Sequence, residues 1–261
     1  MSETSPLPQL IAHRGYSRRY PENTLVGLLA ALQAGARYIE FDVHFTRDEV
    51  PVVFHDSELY RTTGHAGDIH QSTWQQLQAL RAGEPQRFGG RFRDEPIPAL
   101  ENALQLLDRW PQATALVEIK RRTVECFGVE HVARRMVAEL AAYRGRCVLI
   151  SFDHAVLAAA RQVSANGNGR LPIGWVIREW GSEARQTAQQ LQPELLICNY
   201  KKIPDSSGVL WPGPWRWALY DIVDPALALH WAQRGAHFIE TWDIGGMLAD
   251  ARLAETARSG D

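Results

Sequence analysis

Short apolar runs alternate with helix-like stretches along nearly the whole chain. Apolar runs fall at 9–13, 38–43, 50–55, 113–119, 147–151, 171–176, 195–198, 215–219 and 237–241. They are short and near-continuous, as parallel strands covered on both faces require. Helical patterns lie between them at 24–34, 98–109, 129–143, 154–163, 183–191, 225–234 and 246–256. The first has Asn23 or Thr24 as its N-cap and Gly35 at its C-terminus. Repeated β-then-α predicts a single α/β domain over 1–261, a (β/α)8 TIM barrel, with an open doubly wound sheet as the alternative. No G-x-G-x-x-G or P-loop follows any run, which counts against a nucleotide-binding version. The stretch 57–96 breaks the rhythm, carrying Gly64, Gly67, Gly83, Gly89 and Gly90 and one helical pattern near 74–80. It is too long for an ordinary loop. It reads as a small insertion after the second β/α unit, lying over the barrel mouth as a structural cap or a substrate-side wall.

Bulk properties narrow the partners. Of the 261 residues, 45% are hydrophobic, enough for one sizeable core. A net charge of −2 with no long basic run argues against a nucleic-acid partner. Cys126, Cys147 and Cys198 are far apart and lack metal spacing, so buried reduced thiols are expected. Residues 1–8 have neither a basic nor an apolar leader region, and no apolar stretch reaches bilayer length. These features predict a cytoplasmic protein without stable membrane insertion; no pattern speaks to oligomeric state.

Charged residues collect at the ends of the apolar runs: His13-Arg14-Gly15, Glu40-x-Asp42, His55-Asp56 and Glu118-x-Lys120. Charge there is costly unless it is paired, metal-bound or facing a solvated mouth. Residues two apart on a strand share a face, so Glu40 and Asp42 project together into the barrel top while Phe41 faces the helices. Two close carboxylates call for a cation. With Glu118 as a third oxygen donor, the set suits Mg²⁺ or Ca²⁺. His44 is expected not to ligate, and His65 and His70 to be surface residues. His13 and His55 are candidate acid and base. Arg14 can hold a phosphate through its planar fork, Lys120 adds a charge for an anionic substrate, and Gly15 lets the backbone pass close to a ligand. Two proton-transfer groups, a divalent cation and two fixed cations suit phosphoryl chemistry. The segments 34–40 and 234–240 echo each other, which places Glu240 at the same rim as Glu40. Trp211, Trp215 and Trp217, with Pro212 and Pro214, read as a packed loop with one ring facing the site, or else as a lipid-facing patch.

His13-Arg-Gly15, Pro21-Glu-Asn-Thr24, Glu40-x-Asp42, Val53-Phe-His-Asp56 and Glu118-x-Lys120 closely resemble the glycerophosphodiester phosphodiesterase family. Thr62-Thr-Gly64 and Ile97-Pro-Ala-Leu-Glu101 also look like its pattern. The resemblance is specific over 9–120 and thinner afterwards. It implies a TIM barrel with a small inserted segment, and a Ca²⁺ or Mg²⁺ ion held by Glu40, Asp42 and Glu118. It further implies His13 and His55 as acid and base, with Arg14 and Lys120 around the phosphate. The implied reaction is hydrolysis of a small-molecule glycerophosphodiester to sn-glycerol 3-phosphate and an alcohol. Trp217 fits a wall for the glycerol or alcohol moiety, although Tyr220 stands where the family often has asparagine. A lysophospholipid or related lipid phosphodiesterase on the same barrel is the alternative. A zinc amidohydrolase would show an H-x-H pair at its first strand, and a silent binding barrel would lack part of this set.

Overall fold

The computed structural model describes residues 7–165, 169–204 and 207–253. In chain order the elements are β1 (Gln9–Ala12), α1 (Leu25–Gln33), β2 (Tyr38–Phe45), β3 (Pro51–Val53), α2 (Tyr60–Thr63), α3 (Trp74–Gln78), α4 (Pro85–Phe88) and α5 (Leu100–Arg109). They continue with β4 (Thr114–Ile119), α6 (Arg121–Phe127), α7 (Val129–Glu139), β5 (Cys147–Ser151), α8 (His154–Ala165), β6 (Ile173–Ile177) and α9 (Ser182–Leu191). The last are β7 (Leu195–Asn199), β8 (Arg216–Tyr220), α10 (Pro225–Gln233), β9 (Ala236–Thr241) and α11 (Ile244–Ala249). The helical pattern at 246–256 begins inside α11, and its last three residues lie outside the described set.

Eight parallel strands close into a barrel because β1 pairs with both β2 and β9. Closure leaves no free edge in the ring and excludes the open doubly wound sheet; the fold is a TIM barrel. The run at 50–55 differs from a barrel strand. Its regular part, β3, pairs antiparallel with β2 through Val43 and Val53. The connection from Phe45 to Pro51 is too short for the crossover that a parallel neighbour needs, so it closes a hairpin instead.

The alternation of side chains sorts each strand into two environments. Ile39, Phe41, Val43 and Phe45 of β2 are buried in the layer between sheet and helices. The barrel interior is filled by Ile11, Leu116, Ile150, Val176, Leu195, Ile197, Ala218 and Phe238. That interior is tight: a Cβ on Gly174 would lie 2.8 Å from Ile150 Cγ2. Above this apolar plug, the same inward positions carry Glu40, Asp42, Glu118 and Glu240.

The excursion follows the strand of the second unit and precedes its helix, α5. It has a small core of its own, in which Leu59, Ile69, Leu77, Ala82 and Ile97 pack on Val52 and Phe54. Cys147 and Cys198 are buried, and burial pushes both thiols up to about 12; Cys126 is exposed, unlike the sequence expectation for it. Among the described residues, no helix is long and apolar enough to cross a membrane.

Gly15 locks the first β/α loop against α1. Its φ is +79°, and a Cβ there would meet the Gly27 carbonyl carbon at 2.6 Å. Gly15→Ala therefore combines left-handed strain with backbone overlap and is expected to lose at least about 2 kcal/mol. Gly128, at φ +83° with open space around it, isolates the strain part, so Gly128→Ala should cost about 1 kcal/mol. Urea unfolding of both variants checks the difference; equal losses would show that the Gly15–Gly27 approach carries no cost.

Candidate active site

His13, Arg14, His55, Glu118, Lys120, Tyr220, Asp221 and Glu240 line a cavity of about 190 Å³ at the C-terminal mouth of the barrel, floored by Ile150, Val176 and Ile197. Each reaches it from the tip of a strand. His13 continues β1, where its backbone N–H donates to the Thr241 carbonyl at 2.9 Å. Strand register sets Asp42 beside Glu118 and Tyr220 beside Glu240.

The carboxylates are held by a small number of donors. Lys120 Nζ lies between neighbouring strands, 3.0 Å from Asp42 Oδ1 and 2.7 Å from Glu118 Oε1. Asp42 Oδ2 accepts from Asn23 Nδ2 at 2.8 Å and lies 3.2 Å from Arg14 Nε. The Asp42 backbone N–H donates back to Asn23 Oδ1 at 3.1 Å. Burial alone would raise the Asp42 pKa, but Lys120 and Arg14 override it and hold the carboxyl well below the usual range. For Glu40 the Arg14 charge pulls the same way but does not prevail. Burial first, and then the Asp42, Glu240 and Glu118 charges, push its carboxyl well above the usual carboxylate range. Burial and the neighbouring acids do the same to Glu240.

The donor set fits a hard divalent cation. Ligand oxygens of Glu40, Asp42 and Glu118 lie within 4.8 Å of one another, and all three residues are buried. Glu40 Oε2 accepts the Arg14 amide at 2.9 Å, whereas Glu40 Oε1 is buried without a hydrogen-bond partner. A buried carboxylate oxygen without a hydrogen-bond partner, beside two further acids, has the chemistry that a hard divalent cation would satisfy. A second group of possible ligands, His13, Glu40 and Glu240, overlaps the first through Glu40.

The two histidines have different surroundings. His13 Nε2 lies 3.4 Å from Glu240 Oε1 and 4.0 Å from Glu40 Oε2. Burial, helped by the Arg14 charge, lowers its pKa to about 3. His55 Nδ1 lies 2.6 Å from Asp56 Oδ1, and Arg61 Nε donates to Asp56 Oδ2 at 2.6 Å. A carboxylate only accepts, so the His55 proton sits on Nδ1 and Nε2 stays available.

Thus His13, Arg14, His55, Glu118 and Lys120 share one cavity, with Glu40 and Asp42 packed beside it. Trp217 is not brought there. Arg216, Ala218 and Tyr220 point inward on β8, so Trp217 faces the helix layer, where its indole N–H donates to the Trp211 carbonyl at 2.9 Å. Trp211 in turn stacks on Trp180 at 3.9 Å, giving a packed aromatic cluster with no ring facing the site. Tyr220 lines the cavity instead. His65 is exposed as expected, but His70 is buried, with Nδ1 bonded to the Phe45 carbonyl at 3.0 Å.

Several functional side chains escaped the sequence reading. Asn23 clamps Asp42 from a backbone φ of +55°. Arg61 donates to Glu22 Oε1 at 2.6 Å and to Asp56, while Glu22 also accepts from Arg14 Nη1 at 3.1 Å. Arg61 comes from the excursion, so that segment braces the site. The Pro21-Glu-Asn-Thr24 motif was the available signal for Glu22 and Asn23; nothing near Arg61 marked it.

His44 is a brace rather than a ligand. Its Nε2 donates to the His55 carbonyl at 3.0 Å, and Nδ1 accepts from the Thr123 hydroxyl at 3.0 Å. Burial lowers its pKa from the ordinary 6.5 to about 3. The unfolded chain then binds the extra proton first, so His44 contributes stability that is present above pH 6.5 and is lost as pH falls toward 3. Between pH 7 and 4.5 this loss is about 2–3 kcal/mol. Urea unfolding at those two pH values should give a shallower pH dependence for His44→Gln than for the unaltered protein; an unchanged dependence would place its source elsewhere.

Comparison with known proteins adds an independent line. Residues 13–207 match the model of the glycerophosphoryl diester phosphodiesterase family. A glycerophosphodiester phosphodiesterase of Caldanaerobacter subterraneus subsp. tengcongensis is 31% identical over 185 residues, 70% of this chain and 74% of that protein. Glycerophosphodiester phosphodiesterase 1 of Mus musculus is 42% identical over 94 residues, 36% of this chain and only 28% of that protein's length. Among solved structures, an Oleispira antarctica phosphodiesterase in complex with the product sn-glycerol-3-phosphate superposes with a TM-score of 0.79 at 25% identity, covering 93% of this chain and 96% of that one. A Parabacteroides distasonis glycerophosphodiester phosphodiesterase shares the fold at a TM-score of 0.75 and 22% identity, covering 95% and 98% of the two chains.

Proposed function

The chain belongs to the glycerophosphoryl diester phosphodiesterase family and is a hydrolase of glycerophosphodiesters; from that premise we propose that it works with a divalent cation and two histidines, releasing sn-glycerol 3-phosphate and an alcohol. The observation that carries this reading is the orphaned, buried Glu40 Oε1 among three carboxylates, next to the cavity that both histidines line. The product named for the Oleispira antarctica structure agrees with which half of the diester keeps the phosphate.

Glu40, Asp42 and Glu118 would hold Mg²⁺ or Ca²⁺, which when bound offsets phosphate charge and acidifies an oxygen near it. The remaining work falls to side chains of this chain. Arg14 and Lys120 line the cavity and present fixed positive charge to the phosphate. One histidine takes a proton from the attacking hydroxyl or water, and the other supplies one to the leaving alkoxide. Asp56 holds the His55 ring so that Nε2 faces the reacting atoms. The substrate is a small molecule, and the chain's weak negative charge supports no nucleic-acid partner. Free thiols at Cys126, Cys147 and Cys198 support a reducing, cytoplasmic setting.

A second reading rests on a neighbouring groove of about 730 Å³ that shares Phe152 and Val176 with the catalytic cavity and is walled by Trp175, Arg178 and Trp180. It exceeds what a small alcohol fills, which favours a lysophospholipid or related lipid diester. Assaying glycerophosphocholine beside a lysophospholipid, with product identification, separates the two.

Exhaustive chelation is expected to abolish turnover, and added Mg²⁺ or Ca²⁺ to restore it; full activity after chelation would remove the cation from the mechanism. His13→Ala and His55→Ala should each lose about a hundredfold or more in kcat. A variant with undiminished kcat would exclude its histidine from proton transfer.

A further inference from the structure

We propose that Asp221 is a positioning residue for His13, holding the Nδ1 edge of the imidazole so that Nε2 is presented to the reacting phosphate. Asp221 follows the last residue of β8 and borders both cavities that meet at His13, the one of about 190 Å³ and another of about 270 Å³. Its Oδ1 lies 3.8 Å from His13 Nδ1. Its Oδ2 accepts from Asn199 Nδ2, at the tip of β7, at 2.8 Å. Two neighbouring strand tips thus combine to aim one carboxylate at one ring nitrogen.

The backbone points the same way. Asp221 has φ +70°, a left-handed conformation that favours glycine and that Asp and Asn tolerate better than other residues with a Cβ. Glycine would adopt it at less cost, so a turn alone does not call for aspartate. The carboxylate is where the position differs from a glycine turn, and its two oxygens face Asn199 and His13. The distance to His13 is ion-pair reach rather than a hydrogen bond, and such contacts tighten when substrate fills the site. Glu240 and Glu40 flank Nε2 on the other edge, so the ring has carboxylate neighbours at both nitrogens. Asp221, part-exposed at the cavity mouth, would keep a proton on Nδ1 and leave the Nε2 lone pair for the chemistry, as an acid beside one ring nitrogen selects a histidine tautomer.

The inference rests on the proton-transfer role of His13 proposed above, and the test keeps the two apart. Asp221→Gly removes the carboxylate at a φ that glycine prefers, so the melting temperature should hold or rise. With glycerophosphocholine and saturating Mg²⁺, kcat should fall at least about tenfold while KM stays within about twofold. Asp221→Asn should be as impaired as Asp221→Gly, because its amide N–H₂ turned to His13 favours the other tautomer. Asp221→Glu should recover part of kcat. A Gly variant with undiminished kcat, or one whose loss lies wholly in KM, overturns the proposal. His13→Ala is assayed beside them: an inactive His13→Ala with a fully active Asp221→Gly defeats this inference alone, whereas a fully active His13→Ala defeats the underlying role of His13.

Discussion

Asp42 stands between Lys120, Arg14 and Asn23, and the top of the barrel is organised around that one carboxylate. Closure of the sheet brings Glu40, Asp42, Glu118 and Glu240 to the inner rim above an apolar plug, where little water is left to solvate them. Asp42 and Glu118 are register neighbours on adjacent strands, a pairing that repels unless a cation intervenes. Lys120 intervenes there, and Arg14 does so on the other side of Asp42. Two cations do not neutralise four acids. The unneutralised excess disfavours further negative charge and drives the Glu40, Glu240 and Glu118 carboxyls up in pKa. A bound divalent cation would relieve that excess, so the electrostatic need of the fold and the proposed chemistry meet at the same atoms.

A second ring of ion pairs holds the cations themselves in place. Arg14 is tethered to Glu22, Glu22 to Arg61, and Arg61 to Asp56, which in turn orients His55. Glu84 secures Glu22 from the other side by accepting its backbone N–H at 2.6 Å. Both Arg61 and Glu84 belong to the excursion between β3 and α5. Its small apolar core is therefore the foundation of one wall of the site: loosening Leu59 or Ile69 would move Arg61, and through it both Glu22 and His55. This accounts for a segment that packs independently of the main core yet sits at the mouth.

Much of this was legible in the chain. Near-continuous apolar runs located all eight barrel strands, because both faces of a parallel strand are covered, and the charges at their ends marked the site. What stayed hidden follows from geometry that a linear pattern does not carry. Trp217-Ala-Leu-Tyr220 alternates without a polar face, so nothing chose which pair points inward; the narrow interior beside Phe238 admits Ala218 and turns Trp217 outward. His70 looks like a surface histidine until the excursion packs it against His44, with ring centroids 5.0 Å apart. The hairpin turn at 46–50 made β3 antiparallel, although its composition matches its parallel neighbours. Arg61 acquires Glu22 as a partner only when the excursion folds back over a loop 39 residues earlier in the chain.

Backbone strain is distributed in the same way. Of the non-glycine residues with positive φ, Arg14, Asn23 and Asp221 stand at the catalytic mouth. Each costs on the order of 1 kcal/mol or more, and each is held by a specific bond. The Arg14 amide donates to Glu40, the Asn23 amide donates to the Arg14 carbonyl, and the Asp221 carboxylate accepts from Asn199. A relaxed backbone at these positions would aim the Arg14 guanidinium, the Asn23 amide and the Asp221 carboxylate elsewhere. The strain is thus the cost of direction: it fixes donors and acceptors before substrate arrives, so that little reorganisation remains for the reaction itself. In a barrel whose strands differ mainly in what projects from their tips, that preorganisation is what turns a generic scaffold into a site with one chemistry.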